Sequence, residues 1–80
     1  MNPIQVKYRK LGKEKAHGLA WKDENIIEID SRIKGFDLLE TIIHEVNHIQ
    51  NKKWSEIMVQ GKSKQLAVIL WQQGFRKIDL

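Results

Sequence analysis

The chain has 80 residues, no cysteine and a formal net charge of +4. A chain of this length forms one compact domain with a modest core, and the lack of cysteine excludes disulfides, thiol nucleophiles and cysteine-based zinc sites. No apolar run is long enough to span a bilayer and no signal peptide is visible, so we expect a cytoplasmic protein that has no membrane partner.

Three short segments within about residues 3–30 have the alternation of apolar and polar residues that is typical of half-buried strands. Their apolar members are Ile4, Val6 and Tyr8 in the first, Leu19 and Trp21 in the second, and Ile27 and Ile29 in the third. The composition of residues 22–25 predicts a turn, so the last two strands should form a hairpin. We therefore expect a small three-stranded sheet of antiparallel type.

A first helix is predicted from about Asp37 to Gln50, where the apolar period changes from two to between three and four. Asp37 and Glu40 have the spacing of a capping box. One aliphatic stripe follows the helix and consists of Leu39, Ile42, Ile43, Val46 and Ile49. This stripe should pack against the sheet.

A second helix should occupy about residues 55–73, with Ser55 as its N-cap and Gly74 as its terminator. Strands followed by two helices predict a single α+β domain over residues 1–80.

The first helix contains the pattern HExxH, formed by His44, Glu45 and His48. Residues four apart lie one turn above each other on the same helical face, so two imidazoles can hold one zinc ion. On a helical wheel this pair points away from the aliphatic stripe, which predicts one face for the core and another for chemistry. Glu45 stands where the carboxylate of this motif takes a proton from a zinc-activated water that attacks a carbonyl. The pattern therefore predicts a zinc-dependent hydrolase.

A catalytic zinc ion usually has three protein ligands and one open position. Asn51 and Trp54 stand where a metzincin would have glycine and histidine, which excludes that class. The only acids after His48 are Glu56 and Asp79. Glu56 is the leading candidate, because a short turn would bring the start of the second helix back beside His48.

Glu56 also heads one face of the second helix, on which several residues are small. That face consists of Glu56, Val59, Ser63, Ala67 and Leu70, and small residues allow two helices to approach closely. The alternative is that Glu56 is a first-turn acid favoured by the helix dipole. Upstream, Asp37 and Glu40 are weaker candidates for the third ligand, because capping accounts for both.

Residues 38–48, LLETIIHEVNH, together with the helix that Glu56 heads, resemble the gluzincin metallopeptidases. The likeness is greatest to the compact ImmA/IrrE-like and SprT-like groups and to minimal zincin-like proteins of phages. Residues 17–30, HGLAWKDENIIEID, resemble the strand pair before the motif helix in those families. The resemblance covers about residues 17–73, and the seven residues between the second histidine and the glutamate are fewer than in most gluzincins.

This resemblance implies Zn²⁺ as the cofactor and a peptide or protein as the substrate. It also implies four site residues, namely the ligands His44, His48 and Glu56 and the base Glu45. For a phage protein, the implied location is the cytoplasm of the host.

Two further residues are candidates for contact with a substrate or a transition state. His17 precedes a predicted strand and could reach the cleft, although a lone histidine in such a place is more often a surface residue. Tyr8 could polarise the scissile carbonyl, whereas its place in the strand alternation favours core packing.

Two other classes of function remain open. A zincin-like module could keep zinc, cleave nothing and bind host or regulatory proteins, but Glu45 would then have no use as a base. A small basic protein could instead bind nucleic acid, since residues 1–22 carry six Lys or Arg against one Glu. The basic residues form no single stripe, so we expect that nucleic acid is not the partner.

Overall fold

The computed structural model describes residues 3–12 and 16–78, in which three strands are followed by two helices. The strands are β1 (Gln5–Arg9), β2 (Gly18–Trp21) and β3 (Ile26–Asp30), and the helices are α1 (Gly35–Gln50) and α2 (Glu56–Gln72). This order confirms the predicted α+β class. Residues 1–2, 13–15 and 79–80 of the predicted single domain lie outside the described residues.

The sheet is mixed, with the strand order β1-β3-β2, and not antiparallel throughout. β2 and β3 form the predicted antiparallel hairpin, whereas β1 pairs with β3 in parallel. Alternation could not reveal this, because side chains alternate with a period of two in both kinds of pairing. At the end of β3, the backbone N–H of Asp30 donates to the carbonyl of His17 at 2.8 Å and that of Ser31 donates to the carbonyl of Arg9 at 3.0 Å.

The core lies between the sheet and α1. Ile27 and Ile29 of the central strand are completely buried, and Leu38 and Ile49 of α1 pack with them. Three of the predicted stripe residues therefore contribute as expected, namely Ile42, Val46 and Ile49. Leu38, however, is buried in place of Leu39.

The prediction that α1 has separate faces for the core and for the HExxH motif is confirmed, because Ile42, Val46 and Ile49 pack in the core while His44, Glu45 and His48 line a cleft. Glu45 is itself only 8% exposed, and the side chains of His44 and His48 are 20% and 18% exposed. These three side chains are poorly exposed because α1 packs against the sheet on one side and against α2 on another. A helix covered on two sides has little surface left that faces only solvent.

β1 is an edge strand of the described sheet that neither α1 nor α2 covers, since α1 packs on β2 and β3. Its register places Val6 beside Ile27 and Tyr8 beside Ile29, on the face that points toward the core. Val6 and Tyr8 are nevertheless 42% and 43% exposed, so the prediction that Tyr8 packs in the core is wrong.

The start of α1 differs from the prediction by two residues. The helix begins at Gly35, and its N-cap residue, Lys34, makes no side-chain capping hydrogen bond. Asp37 thus lies within the first turn and does not form the expected capping box, although its charge there still favours the helix dipole. The carbonyl of Asp37 accepts a hydrogen bond from the Thr41 hydroxyl at 2.6 Å.

Both predicted ends of α2 are confirmed. The Ser55 hydroxyl oxygen accepts the N–H of Met58 at 3.2 Å, as an N-cap should. At the other end Gly74 has a φ of +91°, and the N–H of Phe75 donates to the carbonyl of Leu70 at 3.1 Å, which forms a Schellman motif. Neither described helix has both the length and the apolar character that crossing a bilayer requires.

Candidate metal centre

The structure brings the three predicted ligands together across the turn between α1 and α2. Nε2 of His44 lies 2.9 Å from one carboxylate oxygen of Glu56, and Nε2 of His48 lies 2.9 Å from the other. The two Nε2 atoms are 3.1 Å apart. Two imidazoles and one carboxylate therefore converge on a single point.

Close packing of the two helices explains why Glu56 reaches this point. Val59, Ser63 and Ala67 of α2 are completely buried, and they are the small or apolar members of the face that Glu56 heads. The Asn47 side-chain amide of α1 also donates to the Ser63 hydroxyl at 3.0 Å. The predicted packing face of α2 is thus confirmed, with Glu56 at its exposed N-terminal end.

While Glu56 is ionised, protons alone cannot satisfy the three contacts. If both Nε2 atoms carry hydrogen and donate to Glu56, then the 3.1 Å contact joins two donors. If one Nε2 carries no hydrogen, that nitrogen faces an ionised carboxylate as a second acceptor. A cation shared by three lone pairs removes both conflicts.

The spacing of the donor atoms also fits a metal ion. Their separations of 2.9–3.1 Å are close to the edge of a tetrahedral zinc site, which is roughly 3.3 Å when the donors lie about 2.0–2.1 Å from the ion. The described residues therefore contain one group, His44, His48 and Glu56, that could hold a metal ion.

The protonation state of His48 suits a ligand. Burial lowers the pKa of His48 below its usual value; the charge of Glu56 opposes this effect, and His44 and Lys22 add to it. The imidazole is therefore mainly neutral at neutral pH and presents a lone pair. A proton then competes weakly with a metal ion for Nε2.

Glu45 lies beside this group and does not belong to it. Its carboxyl is buried, and burial raises its pKa, an effect that the charge of Glu56 strengthens and that of His44 weakens. No hydrogen bond or ion pair joins the Glu45 carboxyl to another group in the described part of the chain. An acid in this state holds a proton more readily than a surface glutamate does, which suits a general base or acid.

Gly18 allows β2 to approach the Glu45 side chain, and sequence reasoning missed this residue. A Cβ atom on Gly18 would lie 2.9 Å from Cγ of Glu45 and 2.9 Å from Cγ2 of Thr41. Those distances leave no room for a larger residue. An isolated glycine in a strand pattern was the available signal, since it often marks close approach of the backbone.

A cleft of about 690 Å³ opens over the metal-binding group and Glu45. Its walls are residues 16–20 and Lys22 on one side and the two helices on the other. His17 lines this cleft, as the prediction of a substrate contact requires, whereas Tyr8 lines a different cavity. Glu40 also lines the cleft, but neither it nor Asp37 belongs to the metal-binding group.

No protein-family model matches the chain, and no curated protein or solved structure matches it. The likeness to gluzincins stays a prediction from the HExxH motif.

Proposed function

We propose that the protein is a zinc-dependent hydrolase, most simply a metallopeptidase, in which His44, His48 and Glu56 bind zinc and Glu45 is the general base. The observation that carries this proposal is the convergence of three metal-binding side chains beside a buried carboxyl group, inside one open cleft. His-His-Glu is a donor set that catalytic zinc sites use.

Zinc, when bound, supplies Lewis acidity that lowers the pKa of a water molecule to near neutrality and polarises a carbonyl group. Glu45 accepts a proton from the attacking water and returns it to the leaving amine.

The position of Glu45 favours catalysis over a purely structural metal site. Partial burial of a carboxylate costs free energy, and Glu45 lines the open cleft, so a site that only bound zinc would gain nothing from keeping this group there. The position of Glu45 therefore argues against the silent binding module.

The cleft suits an extended peptide. β2 is an edge strand, so its outer backbone groups are available to pair with a substrate backbone. His17 and Lys22 lie at either end of this strand and line the cleft. Either side chain could donate a hydrogen bond to a carbonyl oxygen as negative charge develops on it.

Metal content and cleavage by matched variants test the proposal. We expect the purified protein to contain one zinc ion per chain and to cleave fluorescein-labelled casein or a quenched peptide library. Glu45→Gln should retain zinc and lose cleavage, whereas Glu24→Gln in the exposed β2–β3 turn should retain both. The absence of stoichiometric zinc would overturn the metal site, and zinc without cleavage would identify a binding module.

A further inference from the structure

Two side chains of opposite charge line the metal cleft without belonging to the metal-binding group. Glu40 is on the wall that α1 forms, and Lys22 follows the last residue of β2. Zinc, when bound, is the largest local charge, and the carboxylates of Glu45 and Glu56 can balance it. Glu40 and Lys22 then remain as uncompensated charges that a ligand meets in the cleft.

Neither charge is engaged elsewhere in the described part of the chain. No hydrogen bond or ion pair there holds the Glu40 carboxylate or the Lys22 ammonium group. The capping box with Asp37, which would have accounted for Glu40, does not form. Glu40 is nevertheless half-buried, so its carboxylate loses hydration without gaining a partner. A cationic group of a ligand would supply that partner.

The two charges lie at opposite ends of the cleft. Glu40 precedes His44 by one helical turn and His48 by two, which separates it from His48 by about 12 Å along the helix axis. Lys22 is at the His48 end. Burial is the main cause of the lowered pKa of His48, and the nearby charge of Lys22 contributes to it. The cleft is therefore negative at one end and positive at the other.

The spacing of these two charges matches an extended chain. Gly18 faces α1, because its Cβ would meet Glu45, and Ala20 packs toward the same side against the core. Lys22 continues this alternation and lines the cleft. A peptide that pairs with the open edge of β2 presents every second side chain to this face, and residues four apart are separated by about 13 Å. Its first and fifth side chains can therefore meet Lys22 and Glu40 from the same face.

We propose that the metal cleft selects peptides in which one acidic and one basic side chain stand four residues apart, the acidic one at Lys22 and the basic one at Glu40. This inference rests on the proposed function for the claim that a peptide enters the cleft. Because the two ends differ in sign, the cleft distinguishes the order of the two charges as well as their presence. Antiparallel pairing with β2 is the more stable direction, and it places the acidic residue on the N-terminal side of the peptide.

Two isomeric peptides test the proposal, because they have the same composition and the same net charge. The probes are the end-capped pentapeptides EALAK and KALAE. They are titrated into the zinc-loaded Glu45→Gln variant, so that neither is cleaved, and the NMR amide signals of β2 report binding. At pH 8 imidazoles are ordinarily neutral and add no charge. We expect EALAK to bind about tenfold more tightly, since KALAE replaces two attractive contacts by two repulsive ones. Equal affinity, or no binding of either peptide at millimolar concentration, would overturn the proposal.

Exchanging the two charges of the protein should invert the preference. With Glu40→Lys and Lys22→Glu combined, the net charge is unchanged and KALAE should bind about tenfold more tightly than EALAK. The combination of Glu24→Lys and Lys53→Glu exchanges the same charges at exposed positions outside the cleft and should keep the preference for EALAK. Should the first combination fail to fold, Lys22→Glu alone, at an exposed position, should abolish the preference. A preference for EALAK that survives these changes in the cleft would overturn the proposal.

Cleavage and zinc content distinguish a failure of this inference from a failure of the proposed function. If the unaltered protein holds zinc and cleaves both isomers at equal rates, the hydrolase stands and the charge selection is wrong. If Lys22→Glu slows cleavage of both isomers equally and leaves their relative affinity unchanged, Lys22 acts only on developing charge and the selection is again wrong. If zinc is absent and EALAK still binds more tightly, the proposed function fails and the charge selection stands.

Discussion

The backbone of Gly18 on β2 lies directly against the side chain of Glu45 on α1. A Cβ atom at Gly18 would come within 2.9 Å of Glu45 Cγ. Gly18→Ala should therefore destabilise the fold by about 1–3 kcal/mol, as overpacking does. It should also lower any cleavage activity more than zinc affinity, because the atoms nearest to the added Cβ belong to Glu45 and Thr41.

Thermal melts and zinc titrations of Gly18→Ala check this expectation. Gly61→Ala is the matched control, since a Cβ there meets nothing within 4 Å. That change lies within α2 and should stabilise the protein by about 0.5–1 kcal/mol, because alanine favours a helix over glycine. Equal melting temperatures for the two variants would contradict the close contact at Gly18.

Removing the carboxylate of Glu56 should weaken metal binding strongly. Glu56→Ala removes one of three converging donors, so the loss should exceed the roughly 10–100-fold that a second-layer partner costs. Zinc affinity measured by competition with a chromogenic chelator checks this. Glu24→Ala, in an exposed turn, should bind zinc as tightly as the unaltered protein. Undiminished zinc affinity in Glu56→Ala would show that Glu56 is not a ligand and that its place in the first turn of α2 is favoured by the helix dipole alone.

Zinc should also stabilise the fold, because the metal-binding group joins α1 to α2. At a zinc concentration one hundred times the Kd, binding contributes about 2.7 kcal/mol, which corresponds to a rise in Tm of about 10–20 °C for a domain this small. Calorimetry with zinc and then with EDTA measures the shift. Glu56→Ala should show a much smaller one, and an EDTA-insensitive Tm in the zinc-loaded protein would exclude the coupling.

Neutralising Glu45 should stabilise the metal-free protein at neutral pH. Burial raises the folded-state pKa of Glu45 above its ordinary value of 4.5, so the folded state favours the protonated form. That favourable contribution is present below the unfolded-state pKa and disappears as the pH rises through the folded-state pKa. Glu45→Gln should thus gain on the order of 1 kcal/mol at pH 7.

The decisive measurement is how the stability difference between Glu45→Gln and the unaltered protein changes with pH. In metal-free protein, the advantage of Glu45→Gln over the unaltered chain should vanish below the ordinary carboxyl pKa of 4.5. Glu24→Gln should leave the melting curve unchanged at either pH. An advantage of Glu45→Gln that persists at low pH would point to packing and not to the buried charge.

Local periodicity made most of the metal-binding group predictable. His44 and His48 must lie on one helical face whatever surrounds them, and Glu56 follows after a turn too short to carry it far away. The contact between Gly18 and Glu45 could not be predicted in this way, because it depends on where β2 lies over α1.

The arrangement of the sheet was predictable only in part. The β2–β3 hairpin could be predicted because residues 22–25 have the composition of a turn. The parallel pairing of β1 with β3 could not, because no local sequence pattern distinguishes it from antiparallel pairing. The exposure of Tyr8 has the same origin. Alternation places it on the core-facing side, but only the tertiary packing shows that neither α1 nor α2 extends over β1.

All three metal-binding side chains lie between residues 44 and 56, on two helices and the turn that joins them. The site therefore draws its donors from one continuous stretch of thirteen residues and needs no distant segment to complete it. Under the proposed function, such a stretch should be transferable. If it is grafted onto another helical hairpin with the same turn and the same small packing face, the new protein should also bind the metal. Glu45, however, should act as a base only where a strand with a glycine packs against it, as β2 does here.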